Sequence, residues 1–118
     1  MSFRVTLPGA EVLFSTREGG LSDGPYESLN LGALTQDDPQ HVVENRRRLC
    51  DAAGADGERA TMAYQRHGTD VTQAQPTGIL RPGTRFEPCD GLWSNTEGQP
   101  MLLLTADCVP VLLARIPS

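Results

Sequence analysis

Two residues of this chain have side chains that suit a soft metal ion, His67 and Cys108. His67 occurs in Gln65-Arg66-His67-Gly68, and Cys108 follows Asp107. Both stand where a predicted strand ends in a turn, the position at which proteins present reactive side chains to solvent. An imidazole and a thiolate would form half or more of a zinc site. A catalytic zinc usually takes three protein ligands, and the residues after Cys108 include no third one.

Each of these side chains also has a purely structural interpretation. A lone histidine is more often a surface or core residue than a ligand, and free cysteine is among the most buried residue types. We expect Cys50 and Cys89 to be non-catalytic thiols and His41 to be a solvated residue. Three irregularly spaced cysteines disfavour a disulfide framework, suit a reducing compartment and leave at least one thiol free.

Four further residues are candidates for binding a substrate. Gln65 would share a strand face with His67, because alternate residues of a strand point the same way. Asn30 lies on the polar face of 28–32, where polar and apolar residues alternate as in a strand. Arg17 and Arg46 could bind phosphate bidentately. A row of three arginines on a helix is nevertheless usually a solvated face with one member packed inward.

Composition and motifs exclude several classes of function. With 15 acidic and 10 basic residues the formal charge is -5, so a nucleic acid is not expected as a partner. Gly19-Gly20 fits neither a Walker loop nor a dinucleotide fingerprint and is taken as a plain turn. No Gly-x-Ser-x-Gly elbow of a serine hydrolase occurs. Without a signal-peptide core or an apolar run long enough for a membrane, we expect a cytoplasmic protein with no membrane partner.

The elements that would position these residues follow from periodicity and turn formers. The clearest is a helix that Asp38 caps, Pro39 opens and Gly54 ends. Its predicted apolar side holds Val42, Val43, Leu49 and Ala53, and its polar side holds Arg46, Arg47 and Arg48. Strands are predicted at 11–15, 28–32, 61–65, 70–72, 91–94, 101–105 and 109–114, the last two buried on both faces, with a surface loop at 75–88.

Six ordered motifs resemble the laccase-domain (YfiH-like) family, also described as multicopper polyphenol oxidases or purine nucleoside phosphorylases. The resemblance covers nearly the whole chain. It rests on Phe14 to Ser22, Ser28 to Gly32, Asp38-Pro39 with Val43 and Asn45-Arg46, Gln65 to Gly68, Asp90, and Thr105 to Val111.

The resemblance implies an α+β fold of mixed β-sheets flanked by helices. Residues 1–118 would be the N-terminal portion of a single laccase-like domain, so the fold would be incomplete in this chain. The family's metal site consists of a histidine, a cysteine and a second histidine. His67 and Cys108 match the first two ligands, and the third ligand has no counterpart here. Asp107 would orient a ligand or shuttle a proton.

The function that the resemblance implies is zinc-dependent phosphorolysis of adenosine and inosine, with adenosine deaminase activity. Its catalytic residues would be Asp107, Cys108 and His67, and its partners a purine nucleoside and phosphate. One alternative is a copper-dependent polyphenol oxidase, because copper exceeds zinc in intrinsic affinity for such ligands. The other is an inactive half-domain. Strands left unpaired in the incomplete fold would favour self-association of this chain.

Overall fold

The computed structural model describes residues 2–32, 35–105 and 109–115. In chain order these contain β1 (Ser2–Leu7), β2 (Ala10–Ser15), a 3-10 turn (Gly24–Tyr26), α1 (Pro39–Ala53), β3 (Thr61–Met62), β4 (Val71–Gln73), β5 (Gly91–Trp93) and β6 (Met101–Leu102). β1 pairs with β2 in antiparallel fashion, whereas β3 pairs with β6 and β4 with β5 in parallel. The predicted α+β class with mixed strand pairing is therefore confirmed.

The N-terminal hairpin includes a strand that the sequence interpretation missed. β1 alternates apolar and polar side chains and pairs with β2 over its whole length. Gly9, with a φ of 78°, completes the tight turn, and the rings of Phe3 and Phe14 stack with centroids 5.1 Å apart. Arg4 joins the hairpin to α1, because its Nη2 donates to the carbonyl oxygen of Ala52 at 2.7 Å. That carbonyl belongs to the last turn of the helix, where acceptors lack partners within the helix.

The helix α1 begins and ends where the sequence predicts. Asp38 Oδ1 accepts a hydrogen bond from the backbone N–H of Gln40 at 2.9 Å, and Pro39 opens the first turn. Gly54 ends the helix in the left-handed conformation, with a φ of 68°. No helix in the described ranges has the length and apolarity needed to cross a membrane.

The buried side of α1 differs from the predicted apolar side. Its buried residues are Val42, Asn45, Arg46 and Cys50, which fall on one stripe of the helix. The assignment of Arg46 to the polar side is wrong, since this residue is only 2% exposed. The physical reason is that two buried backbone carbonyls need its donors. Arg46 is thus the inward-packed member expected of the arginine row.

The core lies where α1, the β3–β6 pair and the loop at 75–88 meet. Its buried members are Cys50, Ala60, Met62 and Ile79, packed against Leu80, Phe86, Leu102 and Leu104. Residues 75–88 form no regular element, as predicted, but they do not simply cross the surface. Ile79 is 1% exposed, and its N–H donates to the carbonyl oxygen of Gly57 at 2.9 Å.

Three predicted strands are corrected by the structure. Residues 28–32 form no regular strand, and Ser28 makes an isolated bridge to Ser22. Residues 109–115 form none either, and the exposed fractions of Val109, Val111 and Leu113 are 84%, 79% and 91%. The predicted strand at 101–105 is regular only at β6 and is partly exposed. An apolar run is buried only where other elements cover it, and within the described ranges no strand pairs with 109–115.

We expect the isolated chain to self-associate through this exposed segment, because extended apolar residues favour edge-to-edge pairing. Replacing both Val111 and Leu113 with aspartate should shift the chain toward the monomer in sedimentation velocity over a range of concentrations. Gln75→Asp, at an exposed polar position of the 75–88 loop, is the control and should leave the distribution unchanged. Equal association of all three proteins would assign it to another surface.

Candidate functional site

His67 lies in an exposed turn between β3 and β4, as the sequence predicts. Its φ of 60° is left-handed, a conformation uncommon for residues with a Cβ but enriched several-fold in histidine. Such a backbone persists only where its surroundings determine it. An exposed imidazole held in this way is accessible to a metal ion or a substrate.

The carboxylate of Asp90 lies inside the turn that carries His67. Its Oδ1 accepts a hydrogen bond from the backbone N–H of Arg66 at 2.7 Å. Backbone N–H groups of Arg66, Gly68, Asp70 and His67 together hold the pKa of Asp90 below its ordinary value. A Cβ on Gly68 would lie 2.9 Å from Asp90 Oδ2, so the turn closes on the carboxylate only because a glycine stands there.

Gln65 connects the His67 turn to the strand that leads toward Cys108. Its side-chain Oε1 accepts a hydrogen bond from the backbone N–H of Leu104 at 3.2 Å. Gln65 precedes His67 by two residues, and Leu104 precedes Cys108 by four. The side chain that the sequence assigned to substrate is therefore already engaged through its oxygen.

The parallel pairing of β3 and β6 sends the two segments out of the same end of the pair. Met62 lies opposite Leu102 in the register. His67 follows the end of β3 by five residues, and Cys108 follows the end of β6 by six. Cys108 and Asp107 lie outside the described residues, so their meeting with His67 stays a prediction. Across 2–32, 35–105 and 109–115, no three His, Cys, Asp or Glu side chains are grouped to hold a metal.

The remaining thiols and the other histidine have structural surroundings. Cys50 and Cys89 are buried and free, so the expectation of at least one free thiol is confirmed. Burial raises the pKa of the Cys50 thiol, which favours the unreactive protonated form. His41 is half-buried rather than solvated, because its ring packs in the first turn of α1 and faces Asp37 and Asp38 at 3.9 Å.

Two of the predicted substrate-binding residues, Arg17 and Asn30, line the same open cavity of about 350 Å³. The cavity is walled by the loop that follows β2, and Tyr26 and Ser28 contribute to its lining. Arg17 is exposed, and its Nε donates to the carbonyl oxygen of Glu27 at 3.1 Å. A guanidinium beside an amide in an open cavity suits recognition of a small polar molecule with an anionic group.

A buried polar network includes Asn30 of this cavity and is not predicted from the sequence. Asp37 accepts a short hydrogen bond from the Ser22 hydroxyl and a second, at 3.1 Å, from Asn30 Nδ2. The Ser22 hydroxyl is the main cause of the lowered pKa of Asp37. Asn45 Nδ2 donates to Ser22 Oγ and to the carbonyl oxygen of Asn30, each at 2.9 Å. The network fixes the orientation of Asn30 through its side-chain amide and its backbone carbonyl. Its one sequence signal is Asn45, a polar residue on the buried stripe of α1.

Arg46 stands at the edge of a second, smaller cavity of about 90 Å³, which Asp37, Arg81 and Thr84 also line. Its Nε and Nη1 donate to the carbonyl oxygens of Leu31 and Ile79 at 2.9 and 3.2 Å. Among the described residues its buried Nη2 has no hydrogen-bond partner. Burial lowers the pKa of Arg46 to about 10, so the guanidinium stays charged at neutral pH. Both N–H groups of Nη2 and the second N–H of Nη1 are left for a substrate.

The predicted site residues thus form two groups. Gln65 and His67 belong to the turn closed by Asp90. Arg17 and Asn30 belong to the loop between β2 and α1, and Arg46 contacts this loop from α1. Leu104 lies between the groups. Its N–H bonds to Gln65, and its Cδ1 lies 3.9 Å from a Cβ placed on Gly32.

Residues 11–116 match the model of the family described as multi-copper polyphenol oxidoreductase laccase. The chain belongs to this family. The matched range includes each candidate residue of both groups, as well as Asp107 and Cys108. The resemblance inferred from six motifs is confirmed.

Curated relatives of this laccase-family chain are named as purine nucleoside phosphorylases. YfiH of Escherichia coli is 45% identical over 107 residues, which are 91% of this chain and 42% of the relative. A relative from Streptomyces coelicolor is 41% identical over 111 residues, 94% of this chain and 45% of the relative. The chain therefore spans less than half the length of these relatives.

Solved structures of the family share the fold. The Bacillus licheniformis hypothetical protein YfiH superposes with a TM-score of 0.75 at 31% identity, covering 83% of this chain and 38% of that one. YlmD from Geobacillus stearothermophilus gives a TM-score of 0.67 at 34% identity, covering 80% of this chain and 36% of that one. The backbone fold described above is thus shared with these two structures.

Proposed function

We propose that this chain provides His67 and Cys108 as two ligands of a zinc site in a purine nucleoside phosphorylase. The proposed reaction is phosphorolysis of adenosine and inosine, with deamination of adenosine as a second activity. Relatives that carry the phosphorylase name, at 40–45% identity, support the reaction class. The single observation that supports the site is the parallel pairing of β3 with β6, which leads both ligands from the same end.

The distances along the chain are compatible with this arrangement. The Gln65–Leu104 hydrogen bond fixes the two segments side by side beyond the paired residues. From there His67 is two residues away and Cys108 is four, and each residue can span at most about 3.6 Å. Zinc ligation needs donor atoms about 2.0–2.3 Å from the metal. Short segments leaving adjacent strands can meet this requirement without rearrangement of the pair.

The donor chemistry suits zinc. Cys108 would bind as thiolate and His67 as a neutral imidazole, with Asp107 orienting a ligand or moving a proton. When bound, zinc would supply Lewis acidity and lower the pKa of a coordinated water. The chain has one other histidine, His41, which lies in the first turn of α1 and not in the segments that carry the proposed ligands. We therefore do not propose it as the third ligand.

The loop between β2 and α1 is the proposed binding surface for nucleoside and phosphate. Arg17 is the better placed of the two arginines for phosphate, since it is exposed in the open cavity. Arg46 already uses two of its five N–H donors on backbone carbonyls, which leaves Nη2 and one N–H of Nη1. Asn30 and Gln65 would hydrogen-bond the nucleoside through the amide donors or acceptors that their internal bonds leave free.

The decisive experiment compares this chain with a chimaera in which the remaining segment of Escherichia coli YfiH follows residue 115. The chimaera, loaded with zinc, should release the base from inosine and adenosine in the presence of phosphate. The isolated chain should not, because catalytic groups that act as a unit fail together when one is removed. Liquid chromatography of the products measures both activities.

His67→Ala and Cys108→Ala should abolish turnover by the chimaera, whereas His41→Gln, which removes the chain's other histidine, should retain it. Robust phosphorolysis by a monomeric isolated chain would overturn the proposed site. The family description favours one second function, copper-dependent oxidation of phenols. Phenol oxidation by copper-loaded chimaera, without phosphorolysis by the zinc form, would replace the first proposal by the second.

A further inference from the structure

We propose that Asp90 is the positioning residue of this site, and that its carboxylate holds His67 in place through the backbone of the turn. Asp90 stands immediately before β5, and the turn stands immediately before β4, its parallel partner. The carboxylate therefore occupies the concave side of the turn, while the His67 side chain is exposed. The inference about the turn rests on this geometry alone; its consequence for zinc rests on the proposed function.

Several backbone donors converge on the carboxylate of Asp90. The N–H of Arg66 donates a hydrogen bond to it, and the N–H groups of Gly68, Asp70 and His67 lie near enough to lower its pKa. The bond from Arg66 measures 2.7 Å, a length typical of a charge-assisted bond. An arrangement of successive N–H groups around an anion is a nest. Here the anion is a side chain of the same molecule, so the carboxylate itself can set the backbone conformation of the turn.

The backbone of Asp90 is held by hydrogen bonds, as its side chain is. The N–H groups of Asp90 and Gly91 both donate to the carbonyl oxygen of Asp70, at 2.8 and 3.0 Å. On the other side of the turn, the Cys89 N–H donates to the carbonyl oxygen of Tyr64 at 2.9 Å. Both ends of the turn are thus fixed to the segment that carries Asp90.

His67 has a left-handed backbone, which a residue with a Cβ adopts only at a cost in free energy. Hydrogen bonds to a charged group are stronger than those between neutral groups, so the nest can offset this cost. Without the carboxylate, these N–H groups would have no acceptor. The turn would then no longer hold His67 in the left-handed conformation. Asp90 thereby reduces the conformational freedom of the proposed ligand.

The direct test is nuclear magnetic resonance of the native chain. Through-hydrogen-bond scalar couplings should connect the backbone nitrogens of Arg66 and Gly68 to the side-chain carboxyl carbon of Asp90. This measurement needs no substitution, so it does not depend on whether a variant folds. Absence of these couplings in well-resolved spectra would overturn the proposal.

Variants then test the consequence. Asp90→Ala and Asp90→Asn should lower hydrogen-exchange protection of the 66–70 amides at least tenfold, while the amides of α1 stay protected. Formate, which can occupy the nest, should restore protection in Asp90→Ala, whereas formamide should not. Asp70→Asn removes a neighbouring exposed carboxylate of the same turn and should change protection less than twofold. Unchanged protection in both Asp90 variants, or equal loss in Asp70→Asn, would refute the positioning role.

Zinc titration separates this inference from the proposed function. Loss of a residue that orients a metal ligand typically weakens metal binding about 10–100-fold. We expect Asp90→Asn to weaken zinc binding about tenfold, and the loss to vanish in a His67→Ala background, because the two residues act through one another. Lower protection of the 66–70 amides with unchanged zinc affinity would show that His67 is not a zinc ligand. The role of Asp90 in holding the turn would stand. Weakened zinc binding with an unaltered turn would overturn the positioning role.

Discussion

Replacement of Arg46 by alanine is expected to lower the free energy of unfolding by about 4 kcal/mol, a large part of the 5–15 kcal/mol typical of a domain. The guanidinium joins two separate loops, since it donates to the carbonyl oxygens of Leu31 and Ile79. Each buried carbonyl that loses its donor costs about 1–3 kcal/mol. The guanidinium carbon also lies 5.9 Å from the ring centre of Phe86, so packing is lost as well.

Chemical denaturation measures this effect, and the helix itself offers the control. Arg47 is the next residue of α1, half-exposed and paired with Glu44 and Asp51 on the surface. Arg47→Ala should lower the free energy of unfolding far less than Arg46→Ala does, because exposed ion pairs contribute little to stability. Arg46→Lys should fall between the two alanine variants, because an ammonium cannot reach both carbonyls in the same geometry. Equal stabilities of the Arg46 and Arg47 alanine variants would contradict the structural role.

The structural role of Arg46 limits how this residue can bind a substrate. In the described ranges no carboxylate lies within ion-pair distance of its guanidinium, although burial has removed most of its hydration. A buried charge without a partner gains more from an anion than a solvated one does. A phosphate at Nη2 would therefore be favourable. Loss of activity in an Arg46 variant has meaning only when the fold has been shown to persist, whereas Arg17 is free of this complication.

The sequence predicted best what local chemistry determines. Asp38, Pro39 and Gly54 each fix a backbone conformation through their own covalent structure or a hydrogen bond two residues away. The bounds of α1 therefore follow from three residues. Strands β2 and β5 are likewise visible as short apolar runs, and β4 is visible as a short β-prone segment. The metal-ligand character of His67 depends on residue type and on its place in a turn, and both are local.

What the sequence could not predict depends on partners distant along the chain. Residues 109–115 have the pattern of a buried strand, but burial requires covering elements, and the described residues supply none. Arg46 is indistinguishable in sequence from Arg47 until the carbonyls of Leu31 and Ile79 are placed beside it. Strand β1 is a different case. Its alternation of polar and apolar residues and the Pro8-Gly9 turn are local features that indicate a hairpin.

The site shows the same division. Asp90 lies 23 positions after His67, and nothing in its own neighbourhood indicates that four amide groups face it. The network that supports Asn30 is equally non-local, since Asn45 reaches it from α1. One signal could have suggested both features. A glycine such as Gly68, beside His67, or Gly20, three residues after Arg17, marks a place where another group comes too close for a Cβ.

Gly20 provides the sharpest test of how the proposed binding loop is built. A Cβ at this position would lie 2.1 Å from the carbonyl oxygen of Ser28, 2.6 Å from the Cα of Leu29 and 2.6 Å from Asn45 Oδ1. Two of these atoms are backbone and cannot move without shifting the loop that carries Arg17 and Asn30. The loop is further fixed by the N–H groups of Ser28 and Leu29, which both donate to the carbonyl oxygen of Arg17.

We expect Gly20→Ala to destabilise the chain by on the order of 4 kcal/mol, or to displace the loop where the fold survives. Gly24→Ala in the same loop is the matched control. Gly24 has a left-handed φ of 59° but open space around it, so its substitution should cost only about 1–2 kcal/mol. Chemical denaturation measures the stabilities of the two variants. Phosphate titration of the zinc-loaded chimaera shows whether the loop is displaced. Gly20→Ala should weaken phosphate binding far more than Gly24→Ala does. Equal effects of the two substitutions would show that backbone conformation, and not the close contact at Gly20, determines the shape of the loop.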